Sequence, residues 1–567
     1  MKLERLKKFL GSKKGKEFLS KHQQFFLRDM VTNADEFLEL AKDPLKSQEN
    51  YLLGLIQKNK DTDFGKEHHF NEIRNIQEFQ KNIPIRDYED LRPYIEQVIN
   101  GNTNALFPKR PLMFLKTSGT VDKPKYIPIT RQTKQENRDS FQTWTYHTIL
   151  DHPNLAGGTT VIISSASKEG KIGKYSFGSY SGWMRDNQPF LNKLFYAIPA
   201  KIYEIEDENL RYYALIRASI EQNITMINTA NSSTILNLIR KADERKENLI
   251  RDVREGTISF ENIDEKDQKR LRKLRFKPNP NRAQELENIV NETGHLLPKD
   301  YWENLVVIGC WKGGSQSIFY SQFDKYFGKV PVRDLGILAS EGRITIPITD
   351  KGNSGILDIG HTFFEFIPDN EINKQNPQVL TADQLEKDKA YFLLMTTSGG
   401  LYRYNINDRI KVTGFRDNTP EICFLDKGKH FSSITGEKLT EHQVVSAMRN
   451  LKTDISEFIL HPAMNGENNL PYYQLLIEGS ELKGLDMNKL QTEYDKELER
   501  VNIEYESKRK TRIDPVRVKR VPNGTFAKIK AEVLHRGKIS HDSQYKHQFL
   551  NPRINYDKEL NLGIITD

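Results

Sequence analysis

Lys116-Thr117-Ser118-Gly119-Thr120-Val121-Asp122-Lys123-Pro124-Lys125, followed at once by the apolar run Tyr126-Ile127-Pro128-Ile129, is the stretch on which the reading of this chain turns. Three hydroxyls in four residues, one glycine and flanking lysines offer neutral donors, close backbone approach and positive charge, which are the needs of a polyphosphate. The same composition also suits a polar connection before a strand. The rest of the chain has to choose between them.

At 567 residues with 37% hydrophobic content, the chain exceeds what one core can bury and implies two or more domains. Its 85 basic and 77 acidic residues leave a net charge of +8, too thin over this length to predict a nucleic-acid partner. Mixed-charge segments such as Arg240-Lys241-Ala242-Asp243-Glu244-Arg245-Lys246-Glu247 read as solvated helix faces. Cys310 and Cys423 are the only cysteines, which rules out a disulfide framework and a multi-cysteine zinc site and fits a reducing cytoplasm. The basic start Met1-Lys2-Leu3-Glu4-Arg5-Leu6-Lys7-Lys8-Phe9-Leu10 never reaches the apolar run of a secretory signal, and no stretch is long and apolar enough to span a bilayer. No membrane partner is expected. The adjacent pair His68-His69 lacks a carboxylate or cysteine at helical spacing and reads as a surface turn, so no structural metal is implied.

Apolar positions Phe25, Phe26, Met30, Ala34, Phe37 and Leu38 predict a helical lead-in, with Tyr51-Leu52-Leu53 opening a further helix. Thr159-Thr160-Val161-Ile162-Ile163 reads as a strand, followed by helices around 206–222 and 233–253, an alternation that predicts an α/β layer. A charged stretch over 254–282 reads as a surface excursion. Strands are expected at Leu305–Gly309, Val332–Ala339, Phe363–Ile367 and Ala390–Met395. Beyond Phe424 the pattern changes to a small mixed unit, with helical signals at 437–450 and 486–507 and strand signals at 457–461 and 472–477. The boundary is placed at Asp426-Lys427-Gly428, giving domains 1–425 and 426–567.

Five separated segments complete the reading: the Thr117 loop, Ala339-Ser340-Glu341-Gly342, Tyr402-Arg403-Tyr404-Asn405-Ile406-Asn407-Asp408, Gly436-Glu437-Lys438-Leu439-Thr440-Glu441, and Gln544-Tyr545-Lys546. In this order and spacing they resemble the acyl acid–amido synthetases of the auxin- and jasmonate-conjugating type, the Gretchen Hagen three family of the adenylate-forming superfamily. The resemblance covers nearly the whole chain, including Asp61-Thr62-Asp63-Phe64-Gly65-Lys66, Pro84-Ile85-Arg86-Asp87-Tyr88-Glu89-Asp90, Cys310-Trp311-Lys312-Gly313-Gly314 and Phe363-Phe364-Glu365-Phe366-Ile367-Pro368.

The resemblance implies an α/β fold with a large multi-layer N-terminal adenylation domain and a smaller, mobile α+β C-terminal domain. It implies an AMP-forming ligase that uses ATP and Mg²⁺ to join a small-molecule carboxylic acid to an amino acid or other amine, acting as a cytoplasmic monomer. Thr117, Ser118, Gly119 and Thr120 would hold the phosphates, Thr120 also acting in the chemistry, and Lys125 would add positive charge. Ile337 and Ser340 would flank the nucleotide, Glu341 would ligate Mg²⁺ and Asp408 would take the ribose hydroxyls. Lys438 and Lys546 match catalytic lysines of the mobile domain, where a lysine can place a point charge in one step and withdraw in the next.

Five positions depart from the family pattern. Asn407 stands in place of a glycine, but asparagine tolerates a left-handed backbone. Ile337 replaces an aromatic ring against adenine and would keep only part of a stacking contact worth about 1–3 kcal/mol, so modest ATP affinity is expected. Val121-Asp122 replaces a hydroxyl and a glycine, putting a carboxylate where triphosphate should pass unless it turns away or helps hold Mg²⁺. Lys427 replaces an arginine, which keeps charge and loses a bidentate fork. Two alternatives stay open: transfer of the adenylate to a thiol such as coenzyme A, and a relative that binds nucleotide or acyl ligand without turnover. Gly313-Gly314-Ser315 interrupts an α/β domain and is not read as a carrier-protein attachment turn. Aromatics in Ser176–Met184 read as packing rather than as an acyl pocket.

Overall fold

The computed structural model describes residues 28–560 apart from 118–123, 189, 262, 429–430, 436, 465, 467–469, 511 and 536–544. Ser118, Gly119, Thr120, Val121 and Asp122 therefore lie outside the described residues, as do Phe25, Phe26, Gly436 and Gln544.

The helical lead-in is present, with Met30, Ala34 and Phe37 buried on a helix over 28–40. Its successor spans Pro44–Asn59 and starts well before Tyr51. Asp43 accepts from the Lys46 amide and Pro44 takes the first helical position, a start signal the apolar count alone does not register.

The strand β1 (Met113–Thr117) pairs antiparallel with β2 (Lys125–Ile129) around the Thr117 loop. Next comes β3 (Thr159–Ile162), the opening strand of a second sheet. The strands β4 (Gly170–Ile172) and β5 (Tyr175–Gly178) then rejoin the first sheet, in the order β2-β1-β5-β4. Strands β6 (Ile224–Asn228), β7 (Val307–Gly309) and β8 (Val332–Arg333) stack on β3 as an all-parallel sheet. Its crossovers are helical: Glu208–Ser219, then Ser232–Glu244 and Lys246–Glu255, two helices broken at Arg245 where one was expected. The 254–282 stretch is not wholly irregular, because it holds a helix at Glu265–Leu271 capped by Asp264.

The expected strand from Val332 to Ala339 is split. After β8 the chain turns at Gly336 and forms a hairpin of β9 (Leu338–Ala339) and β10 (Gly342–Arg343). A third sheet follows, built from β11 (Thr345–Ile346), β12 (Gly355–Leu357), β13 (Phe363–Pro368), β14 (Ala390–Thr396), β15 (Tyr404–Arg416) and β16 (Thr419–Lys427), antiparallel in the order β11-β12-β16-β15-β14-β13. The smaller unit begins with the short pair β17 (Phe431–Ser432) and β18 (Leu439–Thr440), and carries β19 (Phe458–Ala463), β20 (Tyr472–Glu478) and β21 (Arg517–Val521) under helices Glu441–Asn450 and Met487–Val501. The protein is thus a mixed α/β molecule with several sheets.

Buried apolar side chains form a cluster that runs from the parallel sheet (Val161, Ile227, Ile308) through Phe319 and Phe323 into the smaller unit (Val444, Leu460, Phe549). A second cluster joins the lead-in helices to β1, β13, β14 and β15. Two such cores are what a chain of this length requires.

Candidate active site

Thr117, Lys125, Ser340, Glu341 and Asp408 are carried by three hairpins that meet at one place. Thr117 and Lys125 are opposite each other as the last register pair of the β1–β2 hairpin, at the end where the chain connects the two strands. Ser340 and Glu341 form the two-residue turn of the β9–β10 hairpin, with Ala339 paired to Gly342. Asp408 lies on β15 opposite Lys427 on β16.

Along β15 the alternating pleat puts Tyr404, Ile406 and Asp408 on the buried face. The β14 pairing jumps from Leu394↔Asn405 to Phe392↔Arg409, a bulge that takes up the extra residues. Asn407 sits inside it with φ 61°, its amide donating to Asn405 Oδ1 at 2.8 Å and its carbonyl accepting from Gly428 at 3.1 Å. Bulges re-aim side chains, and beyond this one Asp408 lies opposite Lys427 on the neighbouring strand. The left-handed backbone expected of asparagine at 407 is what the strand adopts.

The first hairpin is tied to the third. Lys125 Nζ donates to Tyr404 Oη at 3.2 Å, and Tyr404 Oη donates to Glu341 Oε1 at 3.3 Å. Burial holds the Tyr404 phenol far above its usual pKa, and the neighbouring Glu341 carboxylate adds to the shift, so it remains a neutral bridge. Burial pulls the Lys125 pKa down and the charge of Lys427 works in the same direction, against the attraction of Glu341. The motif around Arg86 braces this arrangement from behind. Arg86 and Asn405 exchange backbone hydrogen bonds with the opposing segments (Arg86 N to Arg403 O at 3.0 Å, Asn405 N to Arg86 O at 2.8 Å), and the Arg403 guanidinium is locked by Glu365 at 2.9 Å.

Asp408 is only 4% exposed and forms an ion pair with Lys427, whose Nζ also donates to Ile406 O at 3.3 Å. Burial opposes the Lys427 charge, but the Asp408 carboxylate and its hydrogen bond outweigh it and raise the ammonium pKa. Lys546, from the far end of the chain, comes to the same place. It is open to solvent but lies deep between the two units, where crowding by protein atoms and the charge of Lys427 lower its pKa against the pull of Asp408, Glu441 and Glu341.

Lys438 is not part of this group. Glu437 turns inward, accepting from the amides of Ile434 and Thr435 and from Tyr473 Oη at 2.5 Å, which leaves Lys438 exposed on a backbone with φ 42°. Ile337 is buried, its amide bound to Thr345 Oγ1 at 2.8 Å, and Ser340 is half-buried beside Glu341. Sequence reasoning passed over Tyr404, although its spacing of four from Asp408 on a strand puts both on one face. It also gave no role to Trp311, whose contact with Lys546 no local pattern could show. The His68-His69 reading as a turn is half right: His69 has φ 51°, while His68 is tucked against Arg86 at 2.8 Å.

Among the described residues, no three His, Cys, Asp or Glu side chains converge as a metal cage. Glu341 by itself fits the manner in which Mg²⁺ is held by one carboxylate, with phosphate oxygens and water supplying the rest. Among the described residues no helix is long and apolar enough to cross a membrane.

Comparison with known proteins gives one consistent result. Residues 33–332 match the GH3 family N-terminal domain, 355–427 the GH3 family central domain and 440–553 the GH3 family C-terminal domain. The chain is 25% identical over 529 residues to the jasmonoyl-L-amino acid synthetase JAR6 of Nicotiana attenuata, covering 87% of this chain and 89% of that protein. It is 24% identical over 510 residues to the indole-3-acetic acid-amido synthetase GH3.10 of Arabidopsis thaliana, covering 82% and 85%. The solved structure of the GH3.15 acyl acid amido synthetase superposes with a TM-score of 0.79 at 21% identity, over 93% of this chain and 95% of that one.

Proposed function

The chain belongs to the GH3 family, and on that premise we propose that it is an ATP-dependent, AMP-forming ligase that joins a small-molecule carboxylic acid to an amino acid or other amine. The observation that carries this reading is the meeting of Lys546 from the smaller unit with Asp408 and Glu341 of the larger one, beside Lys427 at the junction between them. A site built across two units suits a reaction in two steps.

In the first step a carboxylate oxygen of the acid bonds to the α-phosphorus of ATP, and the bond to pyrophosphate breaks. Negative charge builds on the departing phosphates, so Lys125 and Lys546 act there as fixed positive charges, with the Thr117 loop donating hydrogen bonds. Asp408 accepts from the ribose hydroxyls on the carboxylate oxygen left free by Lys427. A magnesium ion held by Glu341 would neutralise phosphate charge. In the second step the amine nitrogen bonds to the acyl carbon, gives up a proton and expels AMP. For this step we assign residues 1–425 to an adenylation domain and 426–567 to a domain that turns, withdrawing Lys546.

Incubation with ATP, Mg²⁺, a panel of carboxylic acids and labelled pyrophosphate tests the first step, and mass spectrometry of products with an amino-acid library tests the second. Acid-dependent exchange followed by an amide product is expected. ATP binding without exchange for any acid, or a product formed with coenzyme A alone, would overturn the reading.

A further inference from the structure

Lys546 does not hang free in the cleft. Its Nζ lies 4.9 Å from the ring centroid of Trp311, a residue of the larger unit. That residue is held at three points: the Trp311 backbone amide donates to Ala230 O at 3.0 Å, its backbone carbonyl accepts from Ser232 Oγ at 2.6 Å, and the indole Nε1–H donates to Gly336 O at 2.8 Å, which fixes the ring. Gly336 precedes Ile337 and the β9–β10 hairpin that carries Glu341, so the indole is locked to the backbone of the site itself. Two other contacts join the units, Lys530 to Glu208 at 3.2 Å and, within the buried core, Phe319 to Phe549 at 5.9 Å. The Trp311 contact is the one that involves a candidate catalytic group.

We propose that Trp311 is the positioning residue for Lys546: its fixed ring is a cation–π seat that holds the smaller unit's lysine beside Asp408 and Glu341, and that must be vacated when this unit turns away. A lysine has a long, flexible stem and no fork to orient it, so a rigid aromatic face supplies what the side chain lacks. The attraction falls in the range of about 0.5–2 kcal/mol, enough to bias docking while leaving it reversible. The role in switching rests on the ligase reading; the seat does not, and it is tested without turnover.

Cysteines placed at the seam by Glu208→Cys and Lys530→Cys report docking through the rate of cross-linking by a short bismaleimide, since native Cys310 and Cys423 are both buried. In that background we expect Trp311→Leu to slow cross-linking roughly two- to thirty-fold, the span of a cation–π contact. Lys546→Ala should do the same, Trp311→Phe should restore most of the rate, and Trp311→Leu should add nothing once Lys546 is alanine. MgATP titrated by calorimetry against the same set supplies the second readout. Cross-linking at the parent rate in Trp311→Leu would overturn the proposal. So would a further loss of docking or of MgATP affinity on adding Trp311→Leu to Lys546→Ala, because the ring would then act by packing or on the nucleotide directly. Should the leucine variant fail to fold, Lys546→Ala and Trp311→Phe still decide the question: an unchanged rate in the former refutes the seat. Loss of all ligase activity with an intact docking cycle would count against the enzyme reading alone.

Discussion

Asp408 and Lys427 are cross-strand partners in the β15–β16 ladder and are joined by an ion pair, so the carboxylate assigned to the ribose is already held from one side by a cation. A carboxylate has about four acceptor positions, and the pair leaves one oxygen open while fixing the orientation of the other. Lysine at 427 therefore does with a single contact what an arginine fork would do with two.

Removing that carboxylate strips the ribose of its acceptor and leaves the Lys427 ammonium unpaired. Asp408→Ala is expected to weaken ATP binding by about ten- to a hundredfold, the range for hydrogen bonds to charged groups. Lys546→Ala should leave ATP affinity within about threefold while slowing acid-dependent pyrophosphate exchange by on the order of a hundredfold. Calorimetry and exchange assays separate the two; equal effects of both substitutions on binding and exchange would refute the assignment.

Tyr404→Phe removes one oxygen that serves both Lys125 and Glu341. Glu341, 9% exposed, loses a donor, and a stability loss of about 1–3 kcal/mol follows from leaving a buried carboxylate short of a partner. Urea titration measures this, and a variant as stable as the parent would show that the bridge carries no load.

Glu441 begins the helix Glu441–Asn450 and accepts from the Phe549 amide at 3.1 Å, and burial pushes its carboxyl up to about 7. Because its folded pKa lies above its unfolded one, the folded state binds more protons between about 4.5 and 7, and stability falls as pH rises through that window. Glu441→Gln should abolish this slope, which is at most about 1.4 kcal/mol per pH unit for a single group. Thermal melts of both proteins from pH 4.5 to 8 check it.

His361 has a dependence of the same sign in a more alkaline window. Burial disfavours its charge, but the Asp358 carboxylate at 2.9 Å outweighs that, with Glu136 and Asp139 in support, and the imidazole is pushed up to about 9. The stability it confers is complete below pH 6.5 and is lost as pH rises through 9. Histidine resonances followed by NMR should show one imidazole titrating near 9, and His361→Gln should flatten the alkaline limb of the stability curve.

Gly428 follows β16, and a Cβ there would stand 1.9 Å from Phe392 Cε1. Gly428→Ala must displace either the ring or the chain that leads to the smaller unit. We expect a loss of stability of about 1–3 kcal/mol, the usual cost of overpacking a rigid site, visible as a lowered midpoint in denaturant. A neutral substitution would show that this crossing is loose.

Much of the larger unit was legible in the chain. The runs at Phe363–Ile367 and Ala390–Met395 are buried on both faces and read as strands because they are almost wholly apolar, the one charge, Glu365, being paired with Arg403. The helix Arg131–Asp151 was not legible, because the residues it buries include Thr133, Asn137, Ser140 and Gln142, and a polar buried face carries no hydrophobic period. Their partners, such as Asp358 for Ser140 and Tyr180 for Asn137, come from distant segments. The strand Arg517–Val521 escaped notice for a similar reason, its alternation being one of arginine, lysine and valine at a sheet edge.

The order of motifs determined, from sequence alone, the family, and supplied the residues proposed for the site: hydroxyls and glycine at 117–120, a carboxylate at 341, another at 408 and a lysine at 546. Those features are local, and residue type with spacing is enough to express them. Which of the candidates meet was decided only by tertiary structure. Lys546 reaches Asp408 and Glu341 while Lys438 faces outward, because Glu437 is drawn inward to Tyr473 and because the ring of Trp311 offers a place for the other lysine to rest. Contacts between residues more than a hundred positions apart depend on how the two units pack together, and no pattern along the chain encodes that distance.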